Sequence, residues 1–277
     1  MANRFQSVLL GSAFLILSAC SQAKADDLNG TTPFLPGGEW RVHDSKRPLP
    51  RVVTPSAATQ DEFAPPPSDA IVLFDAEGDL SAWTTQVDGA DLWPVKDGVL
   101  MTNASGDRAP EGAVISGIQT RETFGDVQLH LEFRVPPTST GASGQQYGNS
   151  GVYFMGKYEV QVLNSYQNDT YADGAAASLY GWMPPLVNAS RAPGEWQSYD
   201  IVFEAPVMNE AGDLVEPAYI TMFHNGVLVH NRQEVLGETV WRKVARYEAR
   251  KSTLPFALQH HGETVHFRNI WIRRLDD

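Results

Sequence analysis

The sequence is poor in cysteine and in charge. One of the 277 residues is a cysteine, Cys20, which excludes an intramolecular disulfide and a zinc site built from several thiolates. Charged residues make up 19% of the chain, and 33 acidic against 21 basic side chains leave a formal charge of −12. Because so acidic a protein repels phosphate backbones, we predict no nucleic-acid partner. The apolar share of 42% is nevertheless ample for a buried core.

The position of Cys20 near the N-terminus indicates a role other than disulfide formation or zinc binding. A single charge, Arg4, precedes an apolar stretch at 7–17 that is too short to span a bilayer as a stable helix, which is typical of an export signal. The residues that follow resemble the lipobox of bacterial lipoproteins, in which the chain is cleaved before a cysteine that is diacylated. They are Leu17-Ser18-Ala19-Cys20. The sequence thus predicts a signal peptide at 1–19 and a lipid on Cys20.

A lipid on Cys20 would anchor the exported protein in the bacterial cell envelope. Ser21 rather than an aspartate follows the cysteine, which resembles the sorting signal for the outer membrane, so we expect the protein to face the periplasm. The alternative is an ordinary secretory signal that is cleaved after Ala25, in which case Cys20 is discarded.

Prolines mark the segment that follows. Eight of the 18 prolines lie in residues 21–68, where apolar periodicity is weak. We therefore expect 20–68 to form a lipidated, extended tether with little regular structure, followed by a single domain at 69–277. The exception is the stretch around Phe34, Trp40 and Val42, whose side chains are candidates for docking on the domain.

Short runs with a two-residue period predict an all-β domain. Residues 127–135 and 158–163 alternate apolar and polar side chains, which is typical of strands with one buried side. Signals for hairpins and adjacent strands are Asp97-Gly98, Asn225-Gly226 and a final pair of runs at 254–260 and 265–273. Since the pattern contains no long amphipathic helix, the sequence predicts an antiparallel sandwich or jelly roll.

Common catalytic signatures are missing from the sequence. It has no glycine-rich phosphate loop, no His-Glu-x-x-His metal motif and no Gly-x-Ser-x-Gly nucleophile elbow. It also lacks the Glu-x-Asp-x-x-Glu strand with which sandwich-type retaining glycosidases place two carboxyl groups about 5 Å apart. Hydrolysis by such a pair of carboxyl groups is therefore disfavoured.

Two of the predicted strands carry polar side chains on one face. Glu132 shares a face with Arg134, and Glu159 shares a face with Gln161, so the four would form one patch if the strands were neighbours. A solvated sheet face shows the same alternation, and the pattern alone favours that interpretation. Further features favour a binding site: a glycine-rich loop at 141–151, imidazoles at a strand end and aromatic residues in loops. They are His260, His261, Tyr147, Tyr166, Tyr171, Tyr180 and Trp182.

A series of motifs runs through the domain in a fixed order. The motifs are Leu80-Ser81-Ala82-Trp83, Trp93-x-Val95-x-Asp97-Gly98, Phe124-Gly125-Asp126-Val127-x-Leu129-x-x-Glu132-Phe133-Arg134, Asn149-Ser150-Gly151-Val152, Tyr158-Glu159-Val160-Gln161-Val162-Leu163, Leu179-Tyr180-Gly181, Gly194-Glu195-Trp196, Asn225-Gly226 and Leu258-Gln259-x-His261-Gly262-x-x-Val265-x-Phe267-Arg268-Asn269-Ile270. Over about residues 71–275 they resemble the 3-keto-disaccharide hydrolase family. The chain departs from that family at Asn164 and His260, where aspartate is common, and at Gln197, where asparagine is usual.

The resemblance implies a jelly roll of the concanavalin or laminin-G type, with two antiparallel sheets, that acts on glycosides oxidised to a ketone at C3. Such a ketone acidifies the proton on C2, so a base can remove it and the enolate can expel the C1 substituent. Water then adds to the resulting enone, and the net reaction is hydrolysis. This route requires a base, a group that stabilises the enolate oxygen and an acid for the leaving group.

Residues in the matching motifs are candidates for these roles. Glu159 is the candidate base, Arg134 would polarise the C3 oxygen or bind hydroxyls, and His261 would protonate the leaving group. The candidate substrate-binding residues are Gln161, Asn149, Arg268 and Glu132. Glu159 and His261 are also candidate ligands of a divalent metal ion, whose identity the two ligand types do not determine.

Each catalytic candidate also has a structural alternative. Glu159 could be a surface carboxylate paired with an arginine, Arg134 a structural partner of Glu132, and His261 a capping or turn histidine. At the level of function, the alternatives to an envelope-anchored enzyme acting on 3-keto-glycosides or 3-keto-disaccharides are a non-catalytic, lectin-like carbohydrate-binding lipoprotein and a structural lipoprotein. The expected partners are a carbohydrate and, through Cys20, the membrane; the sequence does not predict an oligomeric state.

Overall fold

The computed structural model describes residues 30–57, 65–86, 90–102, 116–138 and 141–275. Its strands are β1 (Arg51–Val52), β2 (Ile71–Phe74), β3 (Trp83–Thr85), β4 (Val95–Lys96), β5 (Val99–Met101), β6 (Ser116–Phe124), β7 (Val127–Arg134), β8 (Ser150–Phe154), β9 (Tyr158–Val162), β10 (Val187–Asn188), β11 (Gln197–Glu204), β12 (Val207–Met208), β13 (Leu214–Glu216), β14 (Tyr219–His224), β15 (Val227–Glu234), β16 (Leu254–His260) and β17 (His266–Arg274). Helical structure in these residues consists of two 3-10 turns, Gly144–Gln146 and Ala172–Gly174. None of their helices is long and apolar enough to cross a bilayer.

Two antiparallel sheets form the domain. The larger has eight strands in the order β15-β14-β11-β7-β17-β5-β4, with β2 beside β17. The smaller has five strands in the order β3-β6-β16-β8-β9. The predicted all-β class, an antiparallel two-sheet sandwich, is confirmed.

The core lies between the two sheets and follows the predicted alternation. Leu129, Leu131 and Phe133 of β7 are fully buried, whereas the polar residues between them lie on the outer face of the larger sheet. Across the interface, the rings of Phe154 from β8 and Phe203 from β11 stack at 4.6 Å. The inner faces therefore meet as one apolar layer, and the outer faces of the two sheets point in opposite directions.

The turns confirm two of the three predicted strand pairs. Asp97 and Asn225 adopt positive φ values of 52° and 53° ahead of a glycine, as tight hairpins require, and join β4 to β5 and β14 to β15. The prediction that runs 254–260 and 265–273 pair with each other was wrong. β16 belongs to the smaller sheet and β17 to the larger, because the turn at Gly262 carries the chain across the sandwich.

The segment before the domain is docked where the structure describes it. Val42 is fully buried and Leu35 is 5% exposed, whereas Phe34 is 51% exposed. Further along, β1 pairs in parallel with β10, so residues 30–57 differ from the extended tether expected from their prolines. The boundaries of the tether, 20–68, and of the domain, 69–277, stay predictions.

Candidate active site

The predicted polar residues fall on two separate faces of the sandwich. Glu132 and Arg134 lie on β7 in the larger sheet, whereas Glu159 and Gln161 lie on β9 at the edge of the smaller sheet. Each pair is on the outer face of its sheet. The four residues therefore do not form the single patch that neighbouring strands would have produced.

Glu159 occupies an outward position on a strand that is buried on both faces. Its neighbours Tyr158 and Val160 point into the core, so the two-residue period sends Glu159 to the outer side of the sheet. That side is covered by other parts of the chain, and Glu159 is only 6% exposed. Its backbone N–H donates to Oγ1 of Thr239 at 3.0 Å, which ties the strand to the covering loop.

Tyrosines surround the Glu159 side chain. Tyr153 is directly opposite in the β8–β9 register, and its hydroxyl hydrogen-bonds the carboxylate. Tyr171 and Tyr180 come from the segment that follows β9, and the charge of Glu159 acts on both phenols. Gly151 makes this packing possible, because a Cβ atom there would lie 2.6 Å from a ring carbon of Tyr153 and 2.7 Å from Oε1 of Glu159.

Burial changes the acidity of these groups. Removal from water raises the pKa of Glu159 to about 8, and the hydrogen bond from Tyr153 only partly opposes that rise. Burial, together with the charge of Glu159, also raises the pKa of Tyr153 well above its usual value. The carboxyl group therefore exchanges a proton near neutral pH, while the tyrosine keeps its proton.

Amide side chains complete this face. Gln161 donates from Nε2 to Oε1 of Gln145 at 3.1 Å, and Asn149 donates from Nδ2 to the Gln145 carbonyl oxygen at 2.8 Å. Gln259 donates to the Tyr153 hydroxyl at 3.2 Å. In the described residues, the buried Oε1 atoms of Gln161 and Gln259 have no hydrogen-bond partner. We call Glu159, Tyr153, Gln161, Tyr171 and Tyr180 the Glu159 cluster.

A narrow cavity lies beside the carboxylate. Glu159, Tyr180 and Trp182 line one part of it, and Gly237 and Thr239 line another. Its volume of about 10 Å³ has room for roughly one water molecule and is too small for a sugar ring.

The polar residues on the other face are paired with one another. Arg268 donates from Nε to Oε2 of Glu132 at 2.7 Å, and Asn269 donates to Oε1 of the same carboxylate at 3.1 Å. Arg134 donates from Nη2 to His266 at 3.0 Å, so its partner is this histidine. We call Glu132, Arg134, Arg268, His130 and Asn269 the Glu132 cluster.

Two further contacts explain why the Glu132 cluster is rigid. The guanidinium groups of Arg134 and Arg268 lie 4.5 Å and 4.2 Å from the ring centre of Trp196. Burial disfavours the charged form of His130, but the hydrogen bond to Asp200 at 2.6 Å and the nearby carboxylate of Glu132 outweigh this effect and raise the pKa of His130 to about 9. The charges on this face are therefore compensated by neighbours.

His261 lies away from Glu159. In the strand register Tyr153 faces both Glu159 and Ala257, and the exposed His261 follows Ala257 by four residues. The separation is roughly 10 Å across the strands and roughly 13 Å along them, too far for one ion to bind both side chains. Nor do the described residues contain a group of three or more His, Cys, Asp or Glu side chains that could hold a metal. The pair does not fit the predicted divalent ion.

The residues at which the chain departs from the family pattern are hydrogen-bonded or buried in the fold. The Gln197 side-chain oxygen accepts hydrogen bonds from His224, Asn225 and the Arg191 backbone, and Asn164 accepts the N–H of Tyr166 at 3.1 Å in a local turn. His260 is 8% exposed at the end of β16.

Sequence reasoning did not identify Tyr153 or Gln145 as site residues. Tyr153 follows Gly151 by two positions, so both lie on one face, but only the β8–β9 register places that face beside Glu159. Gln145 lies in the glycine-rich loop, and no pattern distinguishes it from its neighbours.

Comparisons with known proteins identify the family of the chain. The model of the 3-keto-alpha-glucoside-1,2-lyase-like domain matches residues 69–273. A 3-keto-disaccharide hydrolase of Bacteroides thetaiotaomicron is 23% identical over 236 residues, which is 66% of this chain and 70% of the relative. A "putative glycosyl hydrolase" from Parabacteroides distasonis, known from a crystal structure, is 41% identical in sequence and superposes with a TM-score of 0.70. The match covers 88% of this chain and 100% of the hydrolase chain. A second structure from that organism, at 19% identity and a TM-score of 0.51, shares the fold. Since the family model matches most of the chain, the protein belongs to the family of 3-keto-alpha-glucoside-1,2-lyase-like domains.

Proposed function

We propose that the protein cleaves glycosides that carry a ketone at C3 and that Glu159 is the base that removes the C2 proton. The observation that carries this proposal is a buried carboxyl group on a rigid strand whose pKa is raised by burial to about 8. A base with such a pKa is suited to removing a proton next to a carbonyl group near neutral pH. The family and the curated relative point to the same substrate class.

The proposed reaction has two stages. In the first, the Glu159 carboxylate takes the C2 proton, and the electrons of the C–H bond form the enolate of the C3 ketone. The enolate re-forms the ketone as the bond between C1 and its oxygen breaks, and the departing oxygen takes up a proton. In the second stage water adds across the C1–C2 double bond and yields the free 3-keto sugar. The route uses one base instead of the two carboxyl groups of ordinary glycosidases.

Neighbouring groups support the charges that develop. Burial raises the pKa of Tyr153 and of Tyr180 well above the usual value, so both hydroxyls remain proton donors at the pH of catalysis. A protonated phenol can donate to an enolate oxygen without rearrangement of solvent. The unpartnered Oε1 atoms of Gln161 and Gln259 are acceptors for sugar hydroxyls.

The N-terminal prediction extends this proposal. Cys20 and residues 1–29 lie outside the described residues. We propose that the chain is cleaved before Cys20 and that a lipid there holds the enzyme at the cell envelope, facing the periplasm. Mass spectrometry of the mature protein tests this: a diacylated Cys20 is expected, and an N-terminus at Asp26 would contradict the anchor.

The activity is tested with matched substrates. A 3-keto-disaccharide and the same disaccharide without the ketone are incubated with the protein, and the products are analysed. We expect cleavage of the oxidised sugar only, because an ordinary sugar has no acidic C2 proton. Binding of sugar without turnover would indicate a lectin-like module and would contradict the proposal.

A further inference from the structure

His43 lies in a segment that precedes the family domain. The family match begins at residue 69, whereas His43 belongs to the docked residues 30–57. Its side chain is completely buried. The imidazole ring packs against Tyr171 and Tyr180, with ring centres 4.2 Å and 4.9 Å away. A residue from outside the domain thus contacts two members of the Glu159 cluster.

The conformation and surroundings of His43 are unfavourable for a residue with only a structural role. Its φ of 58° lies in the left-handed region, which residues other than glycine rarely adopt. Neither ring nitrogen has a hydrogen-bond partner in the described residues, and the same holds for Oδ1 of the neighbouring Asp173. Strain and unpartnered buried polar atoms cost stability and are concentrated at functional sites.

Several polar contacts hold the segment in place. The backbone N–H of His43 donates to Oδ2 of Asp173 at 2.9 Å, and the carbonyl oxygen of Asp173 accepts the N–H of Gly181 at 2.9 Å. Arg47 donates from Nη1 to the carbonyl oxygen of Trp182 at 2.8 Å. His43 is therefore fixed to the same loop that carries Tyr171 and Tyr180.

The two tyrosines connect this segment to the carboxylate. Their hydroxyl groups are 2.8 Å apart and hydrogen-bonded, and the backbone N–H of Tyr180 donates to the carbonyl oxygen of Glu159 at 3.2 Å. Tyr180 lines the cavity beside Glu159, so displacement of its ring would let water reach the outer side of the carboxylate. The packing of His43 against these rings thus affects the access of water to the Glu159 carboxylate.

We propose that residues 30–47 form one wall of the active site and that His43, held by Asp173, is a positioning residue that keeps the rings of Tyr171 and Tyr180 over Glu159. The catalytic part of this inference rests on the proposed function, in which Glu159 is the base. The site is then completed by a segment that lies outside the family domain.

Loss of the His43 ring has a defined electrostatic consequence. The titratable groups facing Glu159 are Tyr153, Tyr171 and Tyr180; those near His43 are the same two loop tyrosines, Asp173 and Arg47. Because burial is the main cause of the raised pKa of Glu159, water that enters in place of the ring lowers that pKa. We expect it to move towards the ordinary range of a carboxyl group.

The experiment is a double-mutant cycle that needs no substrate. Unfolding free energies are measured from pH 4 to 9 for the full chain with and without Glu159→Gln, in the parent and in the His43→Asn background. Asparagine tolerates the left-handed backbone but has no ring. The difference between the paired proteins reports the titration of Glu159. We expect its midpoint to fall by about one pH unit in the His43→Asn background.

Further variants distinguish a positioning role of His43 from a general loss of structure. Phe34→Ala, an exposed residue of the same segment, is the matched control and should leave the midpoint unchanged. His43→Phe restores a ring against both tyrosines and should bring the midpoint back. If His43→Asn does not fold, His43→Gln replaces it, with the same expected fall. An unchanged midpoint in the ringless variant, or one that Phe34→Ala moves equally, would overturn the inference.

Activity assays distinguish this inference from the proposed function. With a 3-keto-disaccharide, His43→Asn should lower kcat about tenfold while KM changes less than about threefold, and the acid limb of the pH profile should move with the midpoint. If the midpoint moves but neither the parent nor any variant turns over the sugar, the positioning role holds and the proposed function fails. If the parent is active and neither the midpoint nor kcat responds, the positioning role fails alone.

Discussion

Glu159 and Glu132 are buried to nearly the same extent and respond in opposite ways. Glu159 is 6% exposed and its pKa is raised to about 8, whereas Glu132 is 8% exposed and its pKa is lowered. Burial favours the neutral form of both. At Glu132, the nearby His130 and hydrogen bonds from Asn269 and Arg268 outweigh the effect of burial. At Glu159, the only opposing contact is the hydroxyl of Tyr153.

Under the proposed function, this contrast separates a structural cluster from a reactive one. A carboxylate with cationic neighbours is stabilised in its charged form and makes a poor base. A carboxylate in an apolar, aromatic environment has a high affinity for a proton, at a cost in folding free energy. Both residues follow the same alternating pattern on their strands, so their different pKa shifts come from their surroundings.

The largest effect should come from replacing the two glutamates by glutamine in turn. Glu159→Gln removes the base and should lower kcat with a 3-keto-disaccharide by about 10³-fold, within the usual range for general-base catalysis. Glu132→Gln, the matched control, should change kcat by less than about threefold, since its face is on the opposite side of the sandwich. A Glu159→Gln protein with full turnover would remove the distinction between the clusters.

The same variant, Glu159→Gln, should lower activity but increase the stability of the fold at high pH. The pKa of Glu159 is about 8 in the folded protein against 4.5 for an ordinary glutamate, so its contribution to stability is complete below pH 4.5 and is lost as the pH rises to 8. Glutamine does not ionise. At pH 9, Glu159→Gln should therefore be more stable than the parent by about 5 kcal/mol, with little gain at pH 4. Chemical denaturation at the two pH values measures the difference, and an equal gain at both would contradict the raised pKa.

Glu132→Gln should destabilise the fold. It removes the carboxylate that accepts a hydrogen bond from the largely buried guanidinium of Arg268, which should cost about 1–3 kcal/mol at pH 7. Because the pKa of Glu132 is lowered, its contribution is present above the ordinary carboxyl pKa and is lost as the pH falls. Urea denaturation at pH 7 and at pH 3 should show the difference between parent and variant shrinking in acid.

A smaller effect is expected at Gly151. A methyl group there meets the Tyr153 ring and the Glu159 carboxylate, which must both shift. Gly151→Ala should reduce kcat about tenfold, because a small displacement of a base from its substrate slows proton transfer. Gly226→Ala is the control, since a Cβ atom at that exposed hairpin meets nothing within 4 Å and its cost is confined to folding. Equal kcat values in the two variants would show that the site tolerates the shift.

Local pattern was sufficient for the strands but insufficient for the site. The alternation at 127–135 and 158–163 predicted β7 and β9, and the positive φ values of Asp97 and Asn225 confirm two predicted hairpins. Which sheet each strand joins depends on contacts between distant segments, and no alternation reports them. The single patch expected from Glu132 and Glu159 failed for this reason.

The burial of Glu159 could not be predicted from the sequence either. Tyr180 lines the cavity beside it, and His43, which packs against Tyr171 and Tyr180, precedes it by more than a hundred residues. Composition predicted a tether at 20–68, because prolines there suppress periodicity, with the stretch around Phe34, Trp40 and Val42 as a candidate for docking. The specific contact of His43 with Asp173 outweighs that general trend.

The most direct test of the central claim is the rate at which the C2 hydrogen leaves the substrate. A 3-keto-disaccharide with deuterium at C2 should react more slowly than the protonated sugar. The value of kcat/KM should rise with pH up to about 8, where the Glu159 carboxyl group loses its proton. Both features should vanish with the activity in Glu159→Gln and persist in Glu132→Gln. Cleavage without an isotope effect, with a profile that is flat through pH 8, would contradict the account.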